Sequence, residues 1–292
     1  MIPQDVLNGI QKALTSIHGH ATDISSHRSL GGGCINEAAR IQVGNRSYFV
    51  KWNLARRYPN MFGAEAIGLK MLEDTGEIQV PGVVCAGEEG NYQFLLLEFI
   101  DRAVEVESFW QDFGASLARL HRNTHSSFGA SHNNYIGSLP QSNAFTTSWV
   151  EFFVSQRLEP QIRMAVDSGS CDRMLMVHFQ AFFNRIEEIF PDEPPALLHG
   201  DLWSGNFMTG SRGKACIFDP AVYYGHREMD IAMTTLFGGF ANEFYNSYNN
   251  EYRMEAGWEK RLPFCNLYPL LVHVNLFGGG YLSQVNSILR QF

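Results

Sequence analysis

The sequence predicts an α+β chain of two lobes, in which an antiparallel sheet with a helix comes first and a mostly helical part follows. Short segments in which apolar and polar residues partly alternate, separated by glycines, occupy much of residues 22–98. This pattern is typical of strands joined by tight connections. After Asp101 the apolar residues recur with a helical period instead. We therefore place the boundary between an N-terminal lobe, residues 1–100, and a C-terminal lobe, residues 101–292.

The first lobe is predicted to hold two helices and five strands. Residues 4–18 carry apolar side chains on a helical period, and residues 61–74 return to the same pattern. The strands are short, and glycines at their connections allow the tight turns that antiparallel neighbours need. They are predicted at residues 22–30, 35–43, 46–52, 83–87 and 92–98.

The second lobe is predicted to consist of helices around one irregular region. That region, residues 196–225, has short strand-like segments and loops, and it carries most of the unusual residues. The helices are predicted at residues 106–123, 145–163, 172–190, 226–236 and 264–289.

Composition narrows the class of protein. Hydrophobic residues make up 45% and charged residues 18% of the 292 residues, which allows a sizeable buried core. The net charge of −8 argues against a nucleic-acid partner, because a phosphate backbone requires a positive face. Five scattered cysteines without a C-x-x-C pair predict neither a disulfide framework nor structural zinc. No apolar run reaches the roughly 20 residues that cross a bilayer, so we expect a cytoplasmic protein without a membrane partner.

The strongest chemical signal is the run His199–Asn206, which reads HGDLWSGN. An Asp followed five residues later by an Asn is the spacing of the kinase catalytic loop. Asp201 would accept the proton of an attacking hydroxyl, and Asn206 would hold a metal ion on the phosphate side. Asp230, at the start of a later helical run, is assigned a structural role as the acceptor of backbone N–H bonds from this loop.

A second acid, Asp219, follows an apolar segment and would chelate Mg²⁺ between the nucleotide phosphates, because hard oxygen ligands suit this cation. A single loop Asp more often caps a turn. The order and spacing of Asp201, Asn206 and Asp219 favour a metal–phosphate site instead. ATP and Mg²⁺ are therefore the predicted cofactors.

The first lobe supplies the expected nucleotide contacts. Gly31, Gly32 and Gly33 lie between two predicted strands, where bare backbone amides can approach phosphates closely. Lys51, at the end of the third predicted strand, adds a positive charge, and Glu65 in the following helix is its predicted partner. A glycine-rich hairpin turn, a solvated lysine and a surface glutamate are the alternatives for these residues.

The segment joining the two lobes is the predicted hinge. Backbone N–H and C=O groups of Glu98, Phe99 and Ile100 would read the edge of an adenine, while aliphatic side chains cover its faces. This assignment follows from position in the chain, because the side chains themselves do not identify a hinge.

At these motifs the chain resembles the fructosamine kinase (ketosamine 3-kinase) family, a branch of the aminoglycoside-phosphotransferase-like kinases with a two-lobed, protein-kinase-like fold. The resemblance runs over almost the full length. Its anchors are the runs Gly31–Glu37, Phe49–Lys51, His199–Asn206, Phe218–Ala221, Tyr224–His226 and Phe237–Phe240.

The resemblance implies transfer of the ATP γ-phosphate to the sugar 3-hydroxyl of a ketosamine, such as a fructosamine or a ribulosamine. The 3-phosphate makes the adduct unstable and returns the free amine, which is a deglycation repair. Trp203 would offer its indole face to the sugar ring, and packing into the second lobe is the alternative. His226 is a second candidate residue beside the acceptor.

Two other functions stay open at this point. One is a related kinase for aminoglycosides, choline or another small-molecule hydroxyl, and the other is a non-catalytic nucleotide-binding protein. Intact Lys51, Asp201, Asn206 and Asp219 argue against the second. The expected partner is a small sugar-amine or a glycated lysine, and the chain is expected to be a monomer or a weak dimer.

Overall fold

A computed structural model describes residues 1–31 and 35–292, so the predicted roles of Gly32 and Gly33, and the neighbouring Cys34, lie outside the described residues. The chain forms two compact units. The first unit comprises Met1–Val106 with Met208–Phe218, and the second comprises Glu107–Phe207 with Asp219–Phe292. The division of nucleotide and acceptor binding between two lobes that meet at residue 100 stays a prediction.

The first unit is built on a five-stranded antiparallel sheet with the strand order β1-β2-β3-β5-β4. Its strands are β1 (Ser26–Leu30), β2 (Glu37–Val43), β3 (Arg46–Leu54), β4 (Val83–Glu89) and β5 (Tyr92–Glu98). β3 is the central strand with β5 beside it, and Lys51 lies opposite Leu95 in their register.

The two helices of this unit pack on opposite faces of the sheet. α1 (Gln4–His18) buries Val6, Ile10 and Leu14 in one core with Trp52 of β3. Because strand side chains alternate between faces, the neighbouring strand positions point to the other side, where α2 (Met61–Asp74) lies. There the side-chain oxygen of Gln93 accepts a hydrogen bond from the Phe62 N–H of α2 at 3.4 Å.

A hairpin from the last third of the chain completes the first unit. It consists of β9 (Phe207–Thr209) and β10 (Ala215–Ile217). The Ile217 N–H donates to the Gln79 carbonyl at 2.9 Å, and the Val106 N–H donates to the Gly213 carbonyl at 3.1 Å. These bonds attach residues close to the predicted catalytic motif to the sheet-bearing unit.

The second unit is mostly helical. Its short strands form the hairpin β6 (Asn134–Ile136) with β7 (Leu139–Gln141) and the pair β8 (Ala196–Leu198) with β11 (Tyr223–Gly225). Single helical turns lie at Ile186–Glu188 and Gly279–Tyr281, and a π-helical stretch, Phe153–Leu158, joins α4 to α5. The α-helices are α3 (Phe109–Leu120), α4 (Trp149–Phe152), α5 (Glu159–Asp167), α6 (Met174–Phe183), α7 (Glu228–Leu236), α8 (Asn242–Glu251), α9 (Trp258–Cys265), α10 (Leu267–Phe277) and α11 (Leu282–Leu289).

The predicted fold class, α+β with an antiparallel sheet first and a helical second part, is confirmed, but one predicted helix is wrong in detail, and α8 and most of α9 were not predicted. The single helix predicted over residues 264–289 is interrupted, because Gly278 has a left-handed φ of 91° that ends α10. α8 was not predicted, because its asparagine-rich sequence buries only Phe244 and Tyr248. Among the described residues, no helix has the length and apolar character needed to span a bilayer.

Candidate active site

The buried ion pair of the first unit joins β3 to α2. Lys51 Nζ donates to Glu65 Oε1 at 2.5 Å, and the two side chains are only 6% and 11% exposed. The predicted partnership of these residues is confirmed. Lys51 lies inside β3 rather than at its end. Hydrogen bonds to the strands on both sides therefore hold its backbone in place. Gly31 is exposed directly after β1.

Two of the three predicted hinge residues use their backbone N–H groups to bond to other parts of the first unit. The Glu98 N–H donates to the Gly82 carbonyl at 2.8 Å, and the Phe99 N–H donates to the Ser47 carbonyl at 3.3 Å. The Arg40 guanidinium lies 4.2 Å from the centre of the Phe99 ring. Of the three predicted hinge residues, Ile100 is therefore the one whose N–H is the candidate donor to an adenine edge.

The catalytic loop of the second unit orients Asp201 through Asn206. Asn206 Nδ2 donates to Asp201 Oδ2 at 2.9 Å and to the Asp201 carbonyl at 2.8 Å. The Asn206 N–H donates to the Trp203 carbonyl at 3.0 Å, which closes the loop between them. Because the Asn206 amide nitrogen is hydrogen-bonded to Asp201, the Asn206 Oδ1 atom is the one that can bind a cation.

Negative charge concentrates around Asp201. Burial raises the pKa of this carboxyl well above its usual range, and the carboxylates of Asp219 and Asp230 raise it further, while the Asn206 hydrogen bond acts in the opposite direction. Asp219 is exposed and has a left-handed φ of 57°, which Asp tolerates better than most residues. Two acids that repel each other beside an amide oxygen are an arrangement that a cation would stabilise.

Asp230 accepts hydrogen bonds from the backbone of the catalytic loop, as predicted. Its Oδ2 atom accepts from the His199 N–H at 2.7 Å, and its Oδ1 atom accepts from the Gly200 N–H at 2.9 Å. His121 Nε2 lies 3.2 Å from Oδ2 and Nδ1 lies 2.7 Å from the Tyr248 hydroxyl. Burial alone would raise the pKa of Asp230, but the His121 hydrogen bond, the charges of His121 and His199, and the Gly200 amide together lower it below its usual value.

Gly200 is the residue that the loop geometry requires at its position. Its φ is 83°, and a Cβ there would lie 2.1 Å from the Ala221 carbonyl oxygen. An Arg, which protein kinases carry at this point of the motif, would collide with that backbone. The close approach lets the Ala221 N–H donate to the His199 carbonyl at 2.8 Å.

A second set of supporting residues, the buried side-chain amides of the β6–β7 hairpin, was not predicted from the sequence. Asn134 Nδ2 donates to the Val222 carbonyl at 2.9 Å, and Gln141 Nε2 donates to the Ala221 carbonyl at 3.3 Å. Both carbonyls follow Asp219 closely in the chain. The hairpin therefore fixes the backbone just after Asp219, which helps to maintain its left-handed conformation.

The two predicted acceptor residues have different positions. Trp203 is half-buried and meets the Phe237 ring edge-on with centres 5.8 Å apart. His226 is fully buried between the Trp149 and Phe190 rings, at 5.8 and 5.5 Å. A side chain in this position offers no surface to an acceptor, so the predicted substrate contact of His226 is not supported.

The oxygen ligands available here fit a metal ion that is bound partly by the protein and partly by substrate phosphates. Among the described residues, no group of three His, Cys, Asp or Glu side chains could bind a metal by itself. Asn206 Oδ1 and the Asp219 carboxylate are two hard oxygen donors on one unit. Mg²⁺ is commonly bound by one or two protein oxygens together with water and substrate phosphates.

Comparison with known proteins assigns the chain to a family. The fructosamine kinase family model matches residues 6–292. A probable ketoamine kinase from Synechocystis sp. is 38% identical, covering 97% of this chain and 95% of the relative. The chloroplastic protein-ribulosamine 3-kinase of Arabidopsis thaliana is 39% identical, covering 94% and 84%. The crystal structure of a putative fructosamine-3-kinase from Haemophilus somnus 129PT is 31% identical and has a TM-score of 0.88, covering 97% and 96%. Since the family match includes every motif described above, the chain belongs to the fructosamine kinase family.

Proposed function

We propose that the chain transfers the γ-phosphate of ATP, bound with Mg²⁺, to the sugar 3-hydroxyl of a ketosamine. Family membership makes the protein a phosphotransferase that acts on a sugar hydroxyl of ketosamines. The observation that supports the proposed chemistry best is the pair of hydrogen bonds that Asn206 Nδ2 donates to the Asp201 carbonyl and to Asp201 Oδ2, which holds the carboxylate in a fixed direction. The aminoglycoside, choline and non-catalytic alternatives are not favoured, because the full-length relatives are ketoamine and ribulosamine kinases.

Asp201 acts as the proton acceptor in this proposal. The acceptor hydroxyl oxygen bonds to the γ-phosphorus, the bond from that phosphorus to the β–γ bridging oxygen breaks, and ADP leaves. The hydroxyl proton passes to Asp201. Since Asn206 Nδ2 occupies Oδ2, the proton goes to Oδ1. The raised pKa of the carboxyl suits a group that must gain a proton during the reaction.

The predicted residues of the first unit, with the metal ligands, would bind the nucleotide. Lys51, held by Glu65, would contact the phosphates, and Gly31 with the two glycines after it would place backbone amides beside them. Ile100 would donate its N–H to the edge of the adenine. When bound through Asn206 and Asp219, Mg²⁺ would offset the phosphate charge.

Asp219→Asn is expected to weaken Mg²⁺-dependent ATP binding by roughly 10–100-fold, the scale of losing one charge-assisted contact. Asn adopts a left-handed φ as readily as Asp, so the backbone at φ 57° is retained. Calorimetric titration with ATP in Mg²⁺ and in EDTA measures the effect, and the EDTA affinity is the control. Equal Mg·ATP affinity in the variant and the wild type would contradict the metal role.

The acceptor class is tested by a coupled ATP-consumption assay over ribulosamine, fructosamine, aminoglycoside and choline acceptors. Turnover is expected with the two ketosamines, and the product should carry its phosphate on the 3-hydroxyl when examined by NMR. Asp201→Asn protein measures the background ATP consumption. Turnover confined to aminoglycosides or choline, or absent with every acceptor, would refute the proposal.

A further inference from the structure

Five aromatic side chains form one connected surface that starts at the catalytic loop. The Phe237 ring lies 5.8 Å from Trp203, 4.6 Å from His273 and 6.4 Å from Tyr281, measured between ring centres. His273 lies 5.0 Å from Tyr281 and 5.4 Å from Phe277. We call these five residues the aromatic surface. All of them belong to the second unit.

The aromatic surface is accessible and is attached to the loop that carries the base. Phe277 is 56% exposed, and Trp203, Phe237, His273 and Tyr281 are half-buried. Ser204, the residue after Trp203, donates from Oγ to the Phe237 carbonyl at 3.4 Å. Connected apolar side chains at a protein surface commonly mark a binding site, and this one begins two residues from Asp201.

The surface presents ring faces without a positive charge. His273 Nδ1 lies 2.7 Å from the Pro269 carbonyl, so that nitrogen carries the proton and donates it. Burial lowers the pKa of His273, and the Pro269 bond opposes this only in part. The ring is therefore neutral near pH 7. Neutral aromatic faces attract cations.

The ketosamine acceptor itself carries a cation, its protonated amine. In a ketosamine the amine nitrogen is bonded to C1, two carbons from the C3 hydroxyl that reacts. A secondary alkyl amine of this kind is protonated near neutral pH, so the acceptor carries one positive charge close to its sugar. With the 3-hydroxyl at Asp201 and the sugar over Trp203, the amine and its substituent would reach Phe237, whose ring centre lies 5.8 Å from that of Trp203.

We propose that the aromatic surface binds the amine portion of the acceptor, the secondary ammonium together with its alkyl chain, as in a glycated lysine side chain. The inference rests on the proposed ketosamine kinase function and adds which part of the substrate the enzyme selects. The Phe237 ring, at the centre of the surface, binds the ammonium. Tyr281 and Phe277 pack along the chain that follows it.

The test compares two acceptors that share the sugar and differ at the nitrogen. One is the ribulosyl adduct of Nα-acetyl-lysine, and the other is the N-acetylated ribulosyl adduct of ammonia, whose amide nitrogen carries neither a charge nor an alkyl chain. Phe237→Ala is expected to lower kcat/KM for the lysine adduct by about 5–30-fold, the range of a cation–π contact. The loss should appear in KM. The value for the N-acetylated adduct should change less than about twofold, because that acceptor has neither the ammonium nor the chain that the rings bind. Phe237→Tyr keeps a ring and should restore the preference.

Two further variants keep the result interpretable. Tyr281→Ala should reduce the preference in the same direction, and it replaces Phe237→Ala should that protein fail to fold. Phe145→Ala removes a 48% exposed ring elsewhere in the second unit and should leave both acceptors unchanged. Equal losses for both acceptors, or an unchanged preference, overturn the inference while the kinase function stands. Wild-type protein that phosphorylates neither acceptor overturns the proposed function, and the inference with it.

Discussion

Asp201→Asn is expected to lower kcat by roughly 10²–10⁴-fold, the scale of general-base assistance, while Mg·ATP affinity changes little. The substituted amide can still accept the bond that Asn206 Nδ2 makes at 2.9 Å, so the loop keeps its shape. The amide cannot take the proton of the acceptor hydroxyl. Single-turnover phosphorylation of a ribulosamine, with ATP binding measured separately by calorimetry, distinguishes a loss of chemistry from a loss of binding.

The stability of the same variant provides the control for folding. Burial and two neighbouring acids raise the folded-state pKa of Asp201, so the ionised carboxylate opposes folding at any pH above its unfolded value. Asp201→Asn removes that charge, and the metal-free variant should melt no lower than the wild type at pH 7. A variant with near-normal kcat would exclude Asp201 as the base.

Contacts between residues near in sequence were the ones that the sequence predicted best. Asn206 bonds to Asp201 five residues away, and the catalytic-loop spacing encodes that distance. Glu65 reaches Lys51 from the next helix, fourteen residues on. Each of these contacts joins two side chains of complementary chemistry, so both partners can be recognised in the sequence.

Supporting contacts to the backbone were not predictable in this way. Asn134 and Gln141 bond to carbonyls 88 and 80 residues away, and a carbonyl belongs to every residue, so no partner stands out in the sequence. For His226, nearness to the motif in sequence led to a wrong prediction. It lies beside the motif in sequence, yet its ring packs into the core between Trp149 and Phe190, and only the three-dimensional packing reveals that direction.

Helix ends show where local conformation overrides the apolar pattern. Residues 264–289 have a helical period that continues through Gly278, and the prediction followed that period. The chain instead turns at Gly278, where φ is 91°, because glycine enters this region without the steric penalty of a Cβ. The aromatic surface depends on this break, since Phe277 precedes the turn and Tyr281 follows it.

The second large effect is expected at Asp230, where Asp230→Asn should lower the free energy of unfolding by roughly 3–5 kcal/mol, as loss of a buried charged partner does. The side chain is 1% exposed, and both of its oxygens accept hydrogen bonds. Asn supplies one oxygen, so its NH₂ group must face either the His199 or the Gly200 amide. Catalysis should fall as well, because these two amides set the backbone that carries Asp201.

Urea denaturation followed by tryptophan fluorescence measures this loss, since Trp110, Trp149, Trp203 and Trp258 all belong to the second unit. Glu243→Gln, which changes an exposed acid in the first turn of α8, is the matched control and should be neutral. The folded-state pKa of Asp230 is lowered, so its contribution is complete above an unfolded pKa of about 3.9 and fades as the pH falls below it. The difference between Asp230→Asn and the wild type should therefore be largest near pH 7 and shrink below about pH 4. Equal stability at pH 7 would show that the two amides find other acceptors, and the loop would then not depend on this carboxylate.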